Sequence, residues 1–256
     1  MCLVTHIFVQ ARVKSTRLPG KILEKIYDKS ILELITLRLK KVKDVDDIIV
    51  VTGTMKENMP LIEECNRLAL RYFCGSEENI LDRIYKASLA FNSGVIIRVT
   101  GDCPLIDATL INEGVEIFYK NEYDILSNHR DRTFPDGLDF EIFRKNALKR
   151  AWVDKMLEYN NNEKKFSEVF VNPIQYMLDS TKFKKYDLIN NHGNLSSLRL
   201  TLDYPEDLEL TKKIYEALFQ QNKCFGLNDI LELMQKNPQI RQINEKYAID
   251  YRKTDS

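Results

Sequence analysis

The chain has 256 residues, 44% hydrophobic and 30% charged, a composition suited to a globular domain with a substantial core. Its 38 basic and 38 acidic residues cancel, which argues against nucleic acid as a partner and leaves room for a local basic site. Five scattered cysteines without a C-x-x-C pair, no signal-peptide pattern and no apolar run near the roughly 18 residues of a membrane span predict a cytoplasmic protein with free thiols and no membrane insertion.

THIFVQ at 5–10 reads as a buried strand. A helix is expected from Ser30, an N-cap residue that sets Leu32, Ile35, Leu39 and Val42 on one face. DIIVVT at 47–52 is the next strand, followed by helices over 60–70 and 79–91 and a third strand, GVIIRVT, at 94–100. Beyond about residue 128 the pattern changes. A polar stretch leads into a strand near 140, 144–178 reads as helical, and KKYDLIN (184–190) and SLRLTL (197–202) read as strands. Pro205 then starts a helix with acidic residues in its first turn, and 226–250 is helical in pattern. The alternation predicts an α/β fold, a mixed and mostly parallel sheet with helices on both faces. One domain is expected, with an excursion at about 130–195. Ligands of such sheets sit beyond the C-terminal strand ends, so the loops after the first and third strands are the places to look.

The first of these loops, Q-A-R-V-K-S-T-R-L-P-G-K at 10–21, gathers Arg12, Lys14, Arg17 and Lys21 beside Ser15 and Thr16. Clustered cations and donors suit a triphosphate, and Gly20 permits close backbone approach. The spacing is not that of a Walker A loop, and a solvated basic turn is the plain alternative. In V-T-G-D-C-P-L-I-D, at 99–107, Asp102 ends the third strand and could hold Mg²⁺. Asp107 fits a helix N-cap better. Asp203 ends another strand-like run and could complete a metal site with Asp102 or simply cap the next helix. Glu206 and Asp207 suit the helix dipole. Gly75-Ser76 forms a turn ahead of Asp82-Arg83 on a helix. The loop at 127–139 holds His129, Arg130, Arg132, Asp136 and Asp139, residue types that often contact substrates from loops. His6, His129 and His192 are isolated, which argues against a histidine-built zinc site.

Taken together, these segments resemble the cytidylyltransferase family of CMP-KDO and CMP-sialic acid synthetases, and within it the spore coat polysaccharide biosynthesis F-type branch. The resemblance rests on 10–21, on GSEENILDRIYKA at 75–87, on RVTGDCPLID at 98–107, on SNHRDRTFPDGLDFEIF at 127–143 and on RLTLDYPEDLEL at 199–210. It implies a nucleotide-diphospho-sugar transferase fold, CTP as donor, Mg²⁺, pyrophosphate release and transfer of CMP to a small acceptor. By the same resemblance Arg12 and Lys21 contact the triphosphate, with Asp102 beside them as the third catalytic residue. Asp102 and Asp203 hold the metal. Val9 to Ala11 and Gly75-Ser76 border the nucleoside, and Ser15, Arg17, Arg83 and Gly101 complete the nucleotide site. It further implies a homodimer formed through an arm within 130–195. The chain departs from the pattern at Glu168 to Pro173, which lacks a common His-Val-Thr-Pro-Tyr run, and at Gly53, where many relatives place Asp. A glycosyltransferase using a nucleotide sugar, or a non-catalytic nucleotide-binding partner in polysaccharide assembly, are the competing readings. The first would need an Asp-x-Asp near mid-chain, for which Asp44-Asp46 and Asp131 are poorly placed.

Overall fold

A computed structural model describes residues 3–160, 173–191 and 193–248. Its centre is a seven-stranded sheet. In chain order the strands are β1 (Thr5–Gln10), β4 (Asp47–Thr52), β5 (Arg71–Cys74), β6 (Val95–Thr100), β7 (Ile125–Ser127), β8 (Phe140–Arg144) and β9 (Lys185–Asp187), with β2 (Lys25–Ile26) and β3 (Lys29–Ser30) forming a separate hairpin. The spatial order is β5-β4-β1-β6-β8-β7-β9. β8 runs antiparallel to both of its neighbours; the other pairs in this sheet are parallel. Gln10 is in register with Val51 on one side and Thr100 on the other, so the loops after β1, β4 and β6 leave the sheet level with one another.

The central strands are apolar almost throughout because both faces are covered. Ile7, Val9, Val50, Ile97 and Val99 point into one core with α1 (Ile31–Leu39), α2 (Met59–Arg67), α4 (Ala108–Lys120), α7 (Pro205–Leu218) and α8 (Leu227–Lys236). Phe8, Ile49, Val51 and Ile96 point into the other, with α3 (Ile80–Ala90), α5 (Lys145–Asn160) and α6 (Pro173–Asp179). The short α9 (Pro238–Gln242) follows α8. Ser30 caps α1, its Oγ accepting from Glu33 N at 3.1 Å, and Asp107 caps α4 by accepting from Thr109 N at 2.8 Å.

The structure departs from the sequence reading in several places. SLRLTL does not join the sheet: it makes one isolated bridge, Arg199 to Asp136, and Leu200 N and Leu202 N donate instead to Asp136 O and Asp102 O of the site loops. Its alternating apolar residues face the core as a strand's would, but its backbone partners are turns. The half-exposed edge strand β5 and the two-residue hairpin strands were too short to read from periodicity. Of the helical run at 144–178, residues 161–172 lie outside the described residues. So do Cys2, His192 and most of the departure at 168–173. Cys65, Cys74, Cys103 and Cys224 are free thiols. No helix among the described residues is long and apolar enough to cross a membrane.

Candidate active site

The loop leaving β1 turns back on itself at Gly20, whose φ of +75° lies in the left-handed region. A 3-10 turn at Lys21–Leu23 follows and carries Lys21 inward, leaving the rest of the basic loop in solvent. Lys21 is 13% exposed, whereas Arg12, Lys14 and Arg17 are exposed by half or more. Four like-charged side chains thus divide into one largely buried cation and three exposed ones. Lys14 is engaged with Glu57 at 2.5 Å.

Lys21 Nζ donates to Asp102 Oδ2 at 3.2 Å, to Asp203 Oδ1 at 2.8 Å and to the Leu202 carbonyl at 2.7 Å. The strand end that bears Asp102 and the distant segment that bears Asp203 therefore converge on one point. Burial alone would lower the Lys21 pKa, but the two carboxylates outweigh it and the net direction is upward. Burial would raise that of Asp203, yet Lys21 and Arg17 pull it down. Asp203 Oδ2 also meets Arg17 at 2.6 Å and Arg199 at 3.3 Å, and the Thr100 hydroxyl donates to Asp102 Oδ1.

Asp203 does not cap the following helix. That task falls to Asp207, which accepts from Asp203 N and Tyr204 N at 2.9 Å each. Asp207 is fully buried and takes Arg199 in a bidentate pair at 3.0 and 2.9 Å, with Asn244 as a further donor at 2.7 Å. It is thus far more than a first-turn charge: it orients both Arg199 and the backbone that carries Asp203. The C-terminal segment reaches this hub through Asn244 and through Tyr247, stacked on Tyr204 at 3.9 Å between ring centroids.

A cavity of about 220 Å³ opens over these groups at the C-terminal ends of β1 and β6. Of the residues expected at the nucleotide, Ala11, Arg12, Ser15, Arg17, Lys21 and Arg83 line it, and so do Gly101, Asp102 and Asp203. Gly101 keeps the wall thin, since a Cβ there would meet the Ala11 Cβ at 2.9 Å. Val9, Gly75 and Ser76 do not line the cavity. Val9 is wholly buried in the core because alternation along β1 turns it to the α1 side; its neighbour Gln10 lines the cavity instead. Ser76 is gripped from below by Arg83, whose guanidinium donates to the Ser76 carbonyl at 2.8 Å. Burial pushes the Arg83 pKa down to about 10, so the side chain stays charged at neutral pH. Asp82 pairs with Lys86 and Trp152 rather than with Arg83.

Gly53 has a steric reason. A Cβ there would fall 1.5 Å from Glu77 Oε2, the acceptor for Thr54 N and Asn58 Nδ2 at 3.2 Å each. Glu77 therefore fills the space a side chain at 53 would occupy, and its other oxygen lies 3.8 Å from Arg12.

The charged side chains of the loop at 127–139 pair within it and with neighbouring segments. Arg132 forks onto Asp139 at 2.7 and 2.5 Å, and Arg130 Nε donates to Asp187 at 2.9 Å. Burial and the nearby Asp139 push the Asp136 pKa up to about 6 despite Arg132 and Arg199. Across the sheet, His129 Nε2 lies 2.7 Å from Glu141 Oε1. Arg98 donates to both Glu141 oxygens at 2.7 and 2.9 Å and, through Nε, to Gln10 Oε1 at 2.8 Å. Sequence reading missed this cluster, although an Arg and a Glu inside otherwise apolar strands signalled a buried pair. Asp46 lies at the opposite strand ends, accepting from Thr5 N at 2.7 Å, so no Asp-x-Asp faces the cavity from there.

Among the described residues no three His, Cys, Asp or Glu side chains converge as a metal cluster. Two convergent carboxylates do meet the requirement of Mg²⁺, which takes one or two carboxylates and completes its shell with phosphates and water. The Lys21 ammonium stands in their shared focus as a cation would, so the donor set fits.

A family model described as Cytidylyltransferase matches residues 6–238. The uncharacterized protein MJ1063 of Methanocaldococcus jannaschii is 37% identical over 237 residues, 92% of each chain. The spore coat polysaccharide biosynthesis protein SpsF of Bacillus subtilis is 27% identical over 236 residues, 90% of this chain and 93% of the relative. A solved cytidylyltransferase from Leptospira borgpetersenii serovar Hardjo-bovis superposes with a TM-score of 0.84 at 31% identity, covering 94% of this chain and 98% of that one. A CMP-2-keto-3-deoxy-manno-octonic acid synthetase solved with CTP shares the fold, with a TM-score of 0.61 at 13% identity over 84% of this chain and 99% of that one.

Proposed function

The chain belongs to the cytidylyltransferase family and is a CTP-dependent enzyme, and we propose that it transfers CMP from CTP to a sugar acid, a sugar phosphate or a related small acceptor, releasing pyrophosphate. The reading places it in surface polysaccharide or glycoconjugate synthesis, in keeping with what SpsF is named for. The observation that carries the reading is the convergence of Lys21, Asp102 and Asp203 under a cavity rimmed by Arg12 and Arg17.

The reaction is an in-line attack of an acceptor oxygen on the α-phosphorus, with pyrophosphate leaving opposite. Such transfers ask the protein mainly for positioning and charge stabilisation. Arg12, Arg17 and Lys21 bind the β- and γ-phosphates and stabilise the charge that accumulates on the leaving pyrophosphate. Ser15 and the loop amides donate to phosphate oxygens, and Gln10, Ala11 and Gly101 border the nucleoside, Gly101 through its bare backbone. Asp102 and Asp203 are the residues that would hold Mg²⁺, which supplies Lewis-acid stabilisation of phosphate oxygens when bound. Asp207 and Arg199 fix the Asp203 carboxylate and so act as positioning residues. The arm within 130–195 is the proposed contact of a homodimer.

A thermal-shift series with CTP, UTP, GTP and ATP plus Mg²⁺ tests the donor. Sugar acids and sugar phosphates with CTP, read by pyrophosphate release, then test the acceptor. CTP is expected to give the largest stabilisation and at least one acceptor to release pyrophosphate. Stabilisation by UTP or ATP alone would overturn the cytidylyl reading.

A further inference from the structure

Lys21 cannot serve a triphosphate while it makes the contacts it makes here. An ammonium has three N–H donors. All three are committed, to Asp102 Oδ2 at 3.2 Å, Leu202 O at 2.7 Å and Asp203 Oδ1 at 2.8 Å. The carboxylates are equally occupied. Asp102 Oδ1 accepts from Thr100, and Asp203 Oδ2 holds Arg17 and Arg199. A divalent cation seated between the two aspartates and the Lys21 ammonium would share one focus at close range, a like-charge overlap in a largely buried setting.

We infer that Lys21 is a placeholder for the cation: the nucleotide phosphates draw Lys21 and Arg17 away from the carboxylates, and only then does the divalent site exist, so nucleotide binding assembles the metal site. This rests on the proposed role of Asp102 and Asp203 and adds an order of events to it. Arg17 is suited to the same exchange, being half exposed and stacked over Tyr204 at 5.2 Å, whereas Arg199 remains anchored on buried Asp207. The placeholder also compensates Asp102 and supplements Arg17 and Arg199 at Asp203 when no nucleotide is present, because uncompensated charges that are partly buried are destabilising.

The test is Mn²⁺ binding followed by the electron paramagnetic resonance of free Mn²⁺, without nucleotide and with α,β-methylene CTP. The proteins are the wild-type chain, Lys21→Met, Lys21→Arg, Asp102→Asn and the Lys21→Met/Asp102→Asn double variant, each checked for folding by thermal denaturation. Without nucleotide, Lys21→Met is expected to bind Mn²⁺ about 10-fold or more tightly than wild type, within the usual range for coupled sites. Lys21→Arg, which keeps the charge, should stay weak, and the gain should vanish in the double variant. Equal Mn²⁺ affinity in folded Lys21→Met and wild type overturns the placeholder. If Asp102→Asn still weakens Mn²⁺ binding in the presence of the analogue, the metal assignment survives that result. If Asp102→Asn alters Mn²⁺ binding under neither condition, the metal assignment falls and the placeholder with it. Should Lys21→Met fail to fold, Lys21→Gln takes its place with the same expectations.

Discussion

Asp102 and Asp203 sit about 100 residues apart in sequence and meet on one ammonium, that of Lys21. Asp102→Asn and Asp203→Asn keep shape and remove charge. Each is expected to lower kcat by about 10²–10³, the scale for losing one preorganised electrostatic contact; the melt should change little for the more exposed Asp102 and fall for Asp203, whose largely buried carboxylate holds Lys21, Arg17 and Arg199. Steady-state kinetics beside calorimetry checks this, and near-normal turnover in both variants would remove the metal assignment. Lys14→Ala is the milder comparison: Lys14 borders the cavity but is exposed and turned to Glu57, so kcat should fall far less than in the aspartate variants and stability should stay within about 0.5 kcal/mol of wild type. Strand ends pointed to the cluster of Arg12, Lys14, Arg17 and Lys21 and to Asp102, a run misread as a strand pointed to Asp203, and the preference for Arg12 and Lys21 among the four cations came from the family resemblance. The sequence could not say that Lys21 is buried and the other three cations exposed, since that division follows from the backbone reversal at Gly20. Nor could it say that Asp207 rather than Asp203 caps the helix. Both are acidic residues near Pro205, and only the fold decides which one turns inward.

At the scale of elements, the site is held by irregular backbone. The turn at 135–138 and the segment at 198–202 hydrogen-bond to each other, the segment alone goes on to the Asp102 carbonyl through Leu202 N and Thr201 Oγ1, and Gly137 makes the approach of turn and segment possible. Its φ is +104°, and a Cβ there would lie 2.2 Å from Thr201 N and 2.4 Å from the Leu200 carbonyl carbon. No flexible side chain can yield at that point. Gly137→Ala should therefore destabilise by about 3 kcal/mol or more, adding backbone strain to a steric clash, and should reduce activity by shifting Asp203. Denaturant unfolding measures the first effect and kinetics the second; a stable, fully active variant would contradict this view of the loop. The strands β1, β4 and β6 and the helices α1, α3 and α7 were legible from periodicity. SLRLTL was misread because alternation reports which side chains are buried, not which backbone is the hydrogen-bond partner. β5 and the β2–β3 hairpin were too short for any period to register.

For the molecule as a whole, the charge cluster of Arg98, Glu141 and His129 ties β8 and the 127–139 loop to β6 and, through Gln10, to β1. Burial would raise the Glu141 pKa, but Arg98 and His129 carry it down to about 2, from an ordinary 4.5. Its contribution to stability is thus complete above about pH 4.5 and lost as pH falls toward 2. His129 has the opposite sense. Burial lowers its pKa, the bond to Glu141 outweighs this, and the net shift is upward from 6.5. Its contribution is present below 6.5 and lost as pH rises through the folded value. The cluster should therefore contribute most between about pH 4.5 and 6.5. Glu141→Gln should cost about 3–5 kcal/mol in that window, the scale for breaking a buried pair, and should flatten the acid limb of a plot of unfolding free energy against pH. An unchanged acid limb would show that Glu141 is not the group titrating there.

A crystal structure of the chain with CTP and Mg²⁺ decides whether the loop at 10–21 and the two aspartates form the donor site for CTP. The triphosphate is expected in the cavity against Arg12, Arg17 and Lys21, with Lys21 Nζ moved from carboxylate to phosphate and Mg²⁺ on Asp102 and Asp203. Phosphates bound elsewhere, with Lys21 still seated between the two aspartates, would contradict that assignment.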